Sequence, residues 1–210
     1  MKKIILLLLA VFCCYAGYAQ KRVTTTSQVD HNLEGSSAPE NNGFGIKGGL
    51  IVSSLQGDEA GAYGNLEKQQ SYHAGFYSQF SVTDNFSIQP EVLYTRKGFK
   101  YADTDIRLDY FDVPVLASFR VLDNISLMAG PQVSVLMTVK ENDREMDKKY
   151  YNSFDYGAAA GIEGRLSFLR LGARYVRSFD NIYKPGHMVG TTPVTDVHHS
   201  TLQFYIGAGF

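Results

Sequence analysis

Near its end the chain reads HHSTLQFYIGAGF, and in it His198 and Ser200 stand one residue apart. A histidine beside a serine hydroxyl can take its proton and make a nucleophile, provided an acid orients the ring. No Asp or Glu occurs in the ten residues after Ser200, and none elsewhere is placed beside the pair on its face. An enzyme is therefore not expected. His187, His198 and His199 could offer imidazoles to a metal. Zinc needs three or four converging ligands, however, and nothing in this spacing makes them converge. The two cysteines, Cys13 and Cys14, both fall in the first apolar run, so neither thiolate chemistry nor a disulfide is expected of the rest of the chain. No cofactor is expected.

A second set of chemical groups is more regular. Lys47, Glu91, Asp112, Arg120, Asp155, Glu163, Arg170 and Arg174 each interrupt a segment that otherwise alternates apolar and polar or small residues. Alternation with period two is the mark of a β-strand, and it points these charges to one face and the apolar residues to the other. In STLQFYIGAGF the outward set is Leu202, Phe204, Ile206, Ala208 and Phe210. Seven further segments repeat the pattern: FGIKGGLIV, YHAGFYSQFSV, FSIQPEVLY, FDVPVLASFRV, ISLMAGPQVSVLM, FDYGAAAGIEG and LRLGARY. Eight such strands, with wholly apolar outer faces, suit a sheet whose outside meets lipid rather than another sheet.

The chain opens MKKIILLLLAVFCCYAGYAQ, with two lysines, an apolar run and small residues before Gln20. This is the layout of a signal peptide over residues 1–19. Residues 20–42 are polar and aperiodic and are expected to form a flexible periplasmic segment. Residues 43–210 are expected to form the barrel. The formal net charge is −1, which gives no reason to expect a nucleic-acid partner. Mean hydropathy is −0.16, and no second apolar run could cross a bilayer as a helix.

Tight turns are expected at Thr83–Asn85, Leu122–Asn124 and Arg165–Ser167, and longer polar loops near 56–69, 99–105, 139–152 and 181–197. The fold class is accordingly all-β: an eight-stranded antiparallel transmembrane β-barrel, with both termini periplasmic. Phe44, Phe80, Phe86, Phe119 and Phe210 would form an aromatic girdle at the short-turn end, and Tyr72, Tyr94, Phe154 and Tyr175 a second one towards the loops. Pro90, Pro114 and Pro131 fall inside strands, where each deletes a ladder donor, and bulges are expected to absorb them. The loop KENDREMDKK at 140–149 balances its charges and is expected to be solvated and self-paired.

The stretches IQPEVLYTRKG, YFDVPVLASFR, MAGPQVSVLM, FDYGAAAGIE and RYVRSFDNI resemble successive strands of the PorT-like outer-membrane β-barrel proteins of the Bacteroidetes type, over about 43–210. The resemblance implies an outer-membrane location and a link to protein secretion, with an envelope or secretion complex as partner. It brings no catalytic residues. Phe204 and Phe210, aromatic and outward on the last strand, resemble the signal read by the barrel assembly machinery. Lipid is the other expected partner.

An eight-stranded barrel has an interior just wide enough for side chains to fill. The eight charges, four of each sign, are therefore expected to form ion pairs across the lumen, with Glu163 beside Arg170 or Arg174 because their strands are hairpin neighbours. The expected role is a plugged, non-enzymatic scaffold or interaction module. A small porin-like diffusion channel is the alternative. A lipid-modifying enzyme, using an outward-facing His198 and Ser200, is the remote one.

Overall fold

The computed structural model describes residues 43–56, 66–101, 104–142, 144–148, 151–182, 188–189, 192–193 and 197–209. The expected signal peptide, the 20–42 segment, His187 and Phe210 lie outside the described residues. Eight long antiparallel strands carry the fold: β1 (Gly43–Gln56), β2 (Leu66–Ser81), β3 (Phe86–Tyr101), β4 (Thr104–Leu122), β5 (Ile125–Glu141), β6 (Phe154–Leu166), β7 (Leu169–Ser178) and β8 (His198–Gly209). Each pairs with the next, and β8 returns to β1, from Gly45 opposite Gly209 to Gln56 opposite His198. The sheet is thus closed, which leaves no edge of unpaired backbone groups for lipid to solvate. A two-residue strand, Arg144–Glu145, folds back onto the loop end of β5 at Lys140 and Glu141.

Alternation sets the two faces. Leu50, Phe76, Val92, Phe119, Ile162 and Ile206 are exposed on the outside. Lys47, Tyr77, Glu91, Leu116, Arg174 and Gln203 are buried inside. Among the described residues no helix is long and apolar enough to cross a membrane, and it is the strands that present the apolar band. Outward aromatics mark its edges. Phe44 stacks on Phe76 at 5.9 Å, while Tyr72, Tyr94 and Phe111 form a chain of contacts at 6.2 and 6.3 Å nearer the long loops.

Two details differ from the expectations. The described residues of the 99–105 region are strand and not loop: β3 and β4 continue past the aromatic edge to Tyr101 and Thr104, because their alternation persists through Lys97, Phe99, Ile106 and Leu108. The prolines are not absorbed by bulges. Pro90 pairs in register with Val115, Pro114 with Gln132 and Pro131 with Ala158. Each proline instead opens one ladder. Pairing lapses where Pro90 faces Ser78 on β2, where Pro114 faces Glu91 on β3, and where Pro131 faces Val115 on β4, and it resumes in the same register. A proline lacks one N–H, and in an antiparallel strand that donor serves one neighbour only. The bulges present lie elsewhere, at Lys68/His73, Asp109/Tyr110 and Arg120/Leu122.

The interior is layered along the barrel axis. At the long-loop end Leu55, Phe99, Leu108, Tyr110, Leu136, Val139, Ile182 and Val197 form an apolar cluster. Nearer the short turns a smaller one joins Leu116, Met128, Ala159, Val176 and Tyr205. Ile51 and Leu93 are buried inside as well, and polar and charged side chains occupy much of the remaining lumen.

Candidate functional site: a charge network across the lumen

Short inward residues make room for long ones. Gly172 on β7 lies under the ring of Tyr205, and Gly45 on β1 under that of Tyr77; a Cβ at either position would collide with the ring. The two tyrosines can therefore lie across the lumen, with charges stacked on their faces.

Glu91 on β3 is the hub. It accepts from Lys47 Nζ on β1 at 2.7 Å, from Arg174 Nη1 on β7 at 3.0 Å and from Gln89 Nε2 at 2.8 Å. The side chains of Lys47, Glu91 and Arg174 are all 0% exposed. Glu163 on β6 accepts from Arg170 Nη1 at 3.0 Å and from the Tyr205 hydroxyl at 3.0 Å, and lies 3.8 Å from Lys47 Nζ. Of the two arginines considered beside Glu163, Arg170 is the one in contact, while Arg174 crosses to the opposite wall. Glutamines complete the set: Gln79 accepts from both Arg170 and Arg165, and Gln203 from Arg174 Nε at 3.1 Å.

The core of this network holds three cations, Lys47, Arg170 and Arg174, against two carboxylates. The tyrosines offset the excess. Lys47 Nζ lies 4.3 Å from the Tyr205 ring centre and 4.8 Å from that of Tyr77, and the Arg170 guanidinium is 4.5 Å from Tyr77. A ring's negative face attracts a cation most strongly when both are out of water.

The remaining expected members are placed differently. Asp112 and Asp155 are buried but belong to a second level, nearer the long loops. There Lys97 Nζ approaches Asp112 at 3.6 Å, and Ser178 donates to Asp155 at 2.5 Å. Arg120 keeps the inward parity of Ser118 and is half-buried at the short-turn end of β4, just before the register slips between Arg120 and Leu122. Lys97, Gln79, Gln89, Tyr77 and Tyr205 were not among the expected site residues. Lys97 shares the parity of Glu91, so a strand read three residues beyond Tyr94 would have included it.

The pair at the start of β8 is engaged with neighbouring strands and loop. Ser200 is buried, its hydroxyl 3.0 Å from that of Ser54. The His198 ring donates from Nδ1 to the Asp180 backbone carbonyl at 3.0 Å. Ser200 keeps the outward parity of Leu202 and is paired with Ser54 on β1, but its small side chain is buried there rather than exposed. Phe204 is exposed on the outer face as alternation requires.

Outside the barrel wall, on the β3–β4 hairpin beyond Tyr94 and Phe111, a polar hollow is bordered by Gln69, Tyr72, Arg96, Lys100, Asp105 and Arg107. Both of its arginines are already paired. Arg96 grips Asp109 through two bonds at 2.7 and 3.1 Å, and Arg107 donates to Asp105 at 2.8 Å. Burial pushes the Asp105 carboxyl up, but hydrogen bonds from Arg107 and Gln69 outweigh it and hold the group below its usual range.

A closed antiparallel barrel with an apolar exterior and a polar, charged interior is a membrane-spanning β-barrel. The outer membrane protein beta-barrel domain matches residues 19–184; the chain belongs to that family and is an outer-membrane protein. Two solved structures share the fold. Ail, the attachment invasion locus protein of Yersinia pestis, is 15% identical, with 81% of this chain and 99% of that chain covered and a TM-score of 0.50. The Neisserial surface protein A is 12% identical, with 80% and 97% covered and a TM-score of 0.53. At such identities the likeness is one of fold alone. No curated protein sequence matches the chain.

Proposed function

We propose that this protein is a non-conducting, non-enzymatic barrel that serves the cell envelope as a scaffold or interaction module. The observation that supports this is the bond between Arg174 and Glu91. It joins β7 to β3 across the lumen, and both side chains are wholly out of contact with solvent. A continuous water column past that level would have to displace the network, and separating a buried pair costs several kcal/mol. Chemistry then falls to the loop ends and the outer surface, where binding on rigid scaffolds usually resides. The likeness of its strand motifs to PorT-like proteins supports a role beside a protein-secretion complex, with both termini in the periplasm. Purified protein in planar bilayers is expected to show no stable conductance. Crosslinking in intact cells is expected to recover a stoichiometric envelope protein. Reproducible single-channel steps would replace this reading with that of a small diffusion channel.

A further inference from the structure

Above the charge network, towards the long loops, the lumen contains a level where most polar groups have no hydrogen-bond partner among the described residues. Both ring nitrogens of His73 and of His199, the hydroxyls of Ser53, Thr95 and Thr201, and both carboxylate oxygens of Asp112 find no hydrogen-bond partner among the described residues. All six residues are buried. They are also contiguous. Ser53 is paired with Thr201 across β1 and β8, His73 with Thr95 across β2 and β3, and Thr95 with Tyr110 on β4. The Tyr110 ring then meets that of His199 at 6.2 Å.

Buried polar groups are almost always satisfied by protein or by ordered water. A layer in which nearly every group lacks a protein partner calls for a ligand that both donates and accepts. Metal does not fit: among the described residues no group of three or more His, Cys, Asp or Glu could hold one. Water does. The 3.6 Å gap between Lys97 Nζ and Asp112 points the same way, since a polar contact just beyond hydrogen-bond reach is commonly bridged by water.

We propose that this level is a sealed compartment of ordered water, shut on one side by the charge network and on the other by an apolar lid. The inference rests on the closed-barrel reading and adds what the barrel holds. The lid is built partly from loop. Ile182 and Val197, at the two ends of the β7–β8 connection, pack on Leu55, Phe99, Leu108 and Leu136 at the strand tips. The Ile182 N–H donates to the Val197 carbonyl at 3.0 Å, which ties those two ends together. Changes at 182 and 197 therefore open the lid without altering a strand.

The test uses the full chain folded in lipid nanodiscs, with Cys13 and Cys14 replaced by alanine and one cysteine introduced. A small, charged methanethiosulfonate is expected to label Thr201→Cys at least about a hundred-fold more slowly than Ser153→Cys at the exposed loop end, because entry requires local opening. Adding Ile182→Ser and Val197→Ser is expected to bring the rate to within about ten-fold of that control. Ser53→Cys repeats the measurement from the facing strand, and heat-dependent gel mobility checks folding. Exchange cross-peaks between water and the ring nitrogens of His73 and His199 are expected in NMR spectra of the unaltered protein. Labelling that stays slow with the lid opened, or rings that show no water contact, would mean a dry interior and overturn the proposal. Labelling at the control rate with the lid intact would mean an open lumen and overturn it too. A conducting barrel announces itself in the bilayer recording with no lid change, so failure of the closed reading and failure of the water compartment are separable.

Discussion

Replacing Glu91 by glutamine keeps the shape of the hub and removes its charge. The effect follows from what remains. Lys47 and Arg174, both wholly buried, lose the carboxylate they share at 2.7 and 3.0 Å. Glu163 is the other carboxylate in reach, at 3.8 Å from Lys47 and already bonded to Arg170 at 3.0 Å. Three cations then face one anion in a region without solvent. Removing one partner of a buried pair typically costs about 3–5 kcal/mol, chiefly because the other charge is left uncompensated. The charge excess places Glu91→Gln at the upper end of that range. The assay is equilibrium unfolding in denaturant of the protein reconstituted in lipid, read by tryptophan-free probes such as circular dichroism. The internal control is Asp105→Asn, which breaks the Arg107–Asp105 pair, 32% and 20% exposed; an exposed pair is worth less than about 1 kcal/mol. A loss for Glu91→Gln no larger than that of the control would refute the reasoning, because the lumen would then be wet enough to screen the charges. Replacing Lys47 by methionine together with Glu91→Gln should recover part of the loss, since the pair would then be removed as a unit.

Tyr205→Phe deletes the hydroxyl that donates to Glu163 at 3.0 Å and should cost about 1.5–3 kcal/mol, the usual value for a bond to a charged group, in the same unfolding assay. Gly172→Leu places a side chain where the Tyr205 ring lies and should reduce the yield of heat-modifiable folded barrel far more than Gly164→Leu, whose added Cβ meets nothing closer than 3.8 Å. Phe204→Arg puts a charge on the lipid face and should destabilise by about 2–4 kcal/mol if residue 204 sits near the bilayer midplane, as measured by the folding midpoint in liposomes. Ser167 holds φ of 57° in the β6–β7 turn, so Ser167→Gly should raise stability by up to about 1 kcal/mol.

The fold is legible in the sequence because lipid demands so much of it. Outward residues must be apolar at every second position, so eight segments declare themselves by parity alone. Parity also says which charges point inward. It does not say at what height they meet. Glu163 and Arg170 sit close together in one hairpin, and their contact can be read from turn position. Arg174 and Glu91 lie on opposite walls, and their meeting depends on how far each strand is staggered around the barrel, which no single segment reveals. The two-level division that separates Asp112 and Asp155 from the other charges has the same origin. Lys97 escaped notice for a simpler reason: β3 runs on beyond Tyr94, and a strand cut short at the aromatic edge loses the charge that follows. Ser200 shows what parity leaves out, since it assigns the residue to the outer face but not how exposed a small side chain is beside its strand neighbours.

The three prolines have a mechanical consequence. Their open ladders are consecutive, between β2 and β3, β3 and β4, and β4 and β5, whereas the pairing of β5 with β6, β6 with β7, β7 with β8 and β8 with β1 runs without such a lapse. Resistance of the wall to bending and stretching comes largely from those hydrogen bonds, so one side of the cylinder is more compliant than the other. Lateral pressure from the bilayer will flatten it preferentially along that side, turning a round cross-section into an oval with a fixed long axis. Glu91 lies directly opposite Pro114 in the softened sector, while its partner Arg174 is anchored in the stiff one. The cross-lumen bond between them then acts as a tie-rod, holding the yielding wall at a set distance from the rigid one.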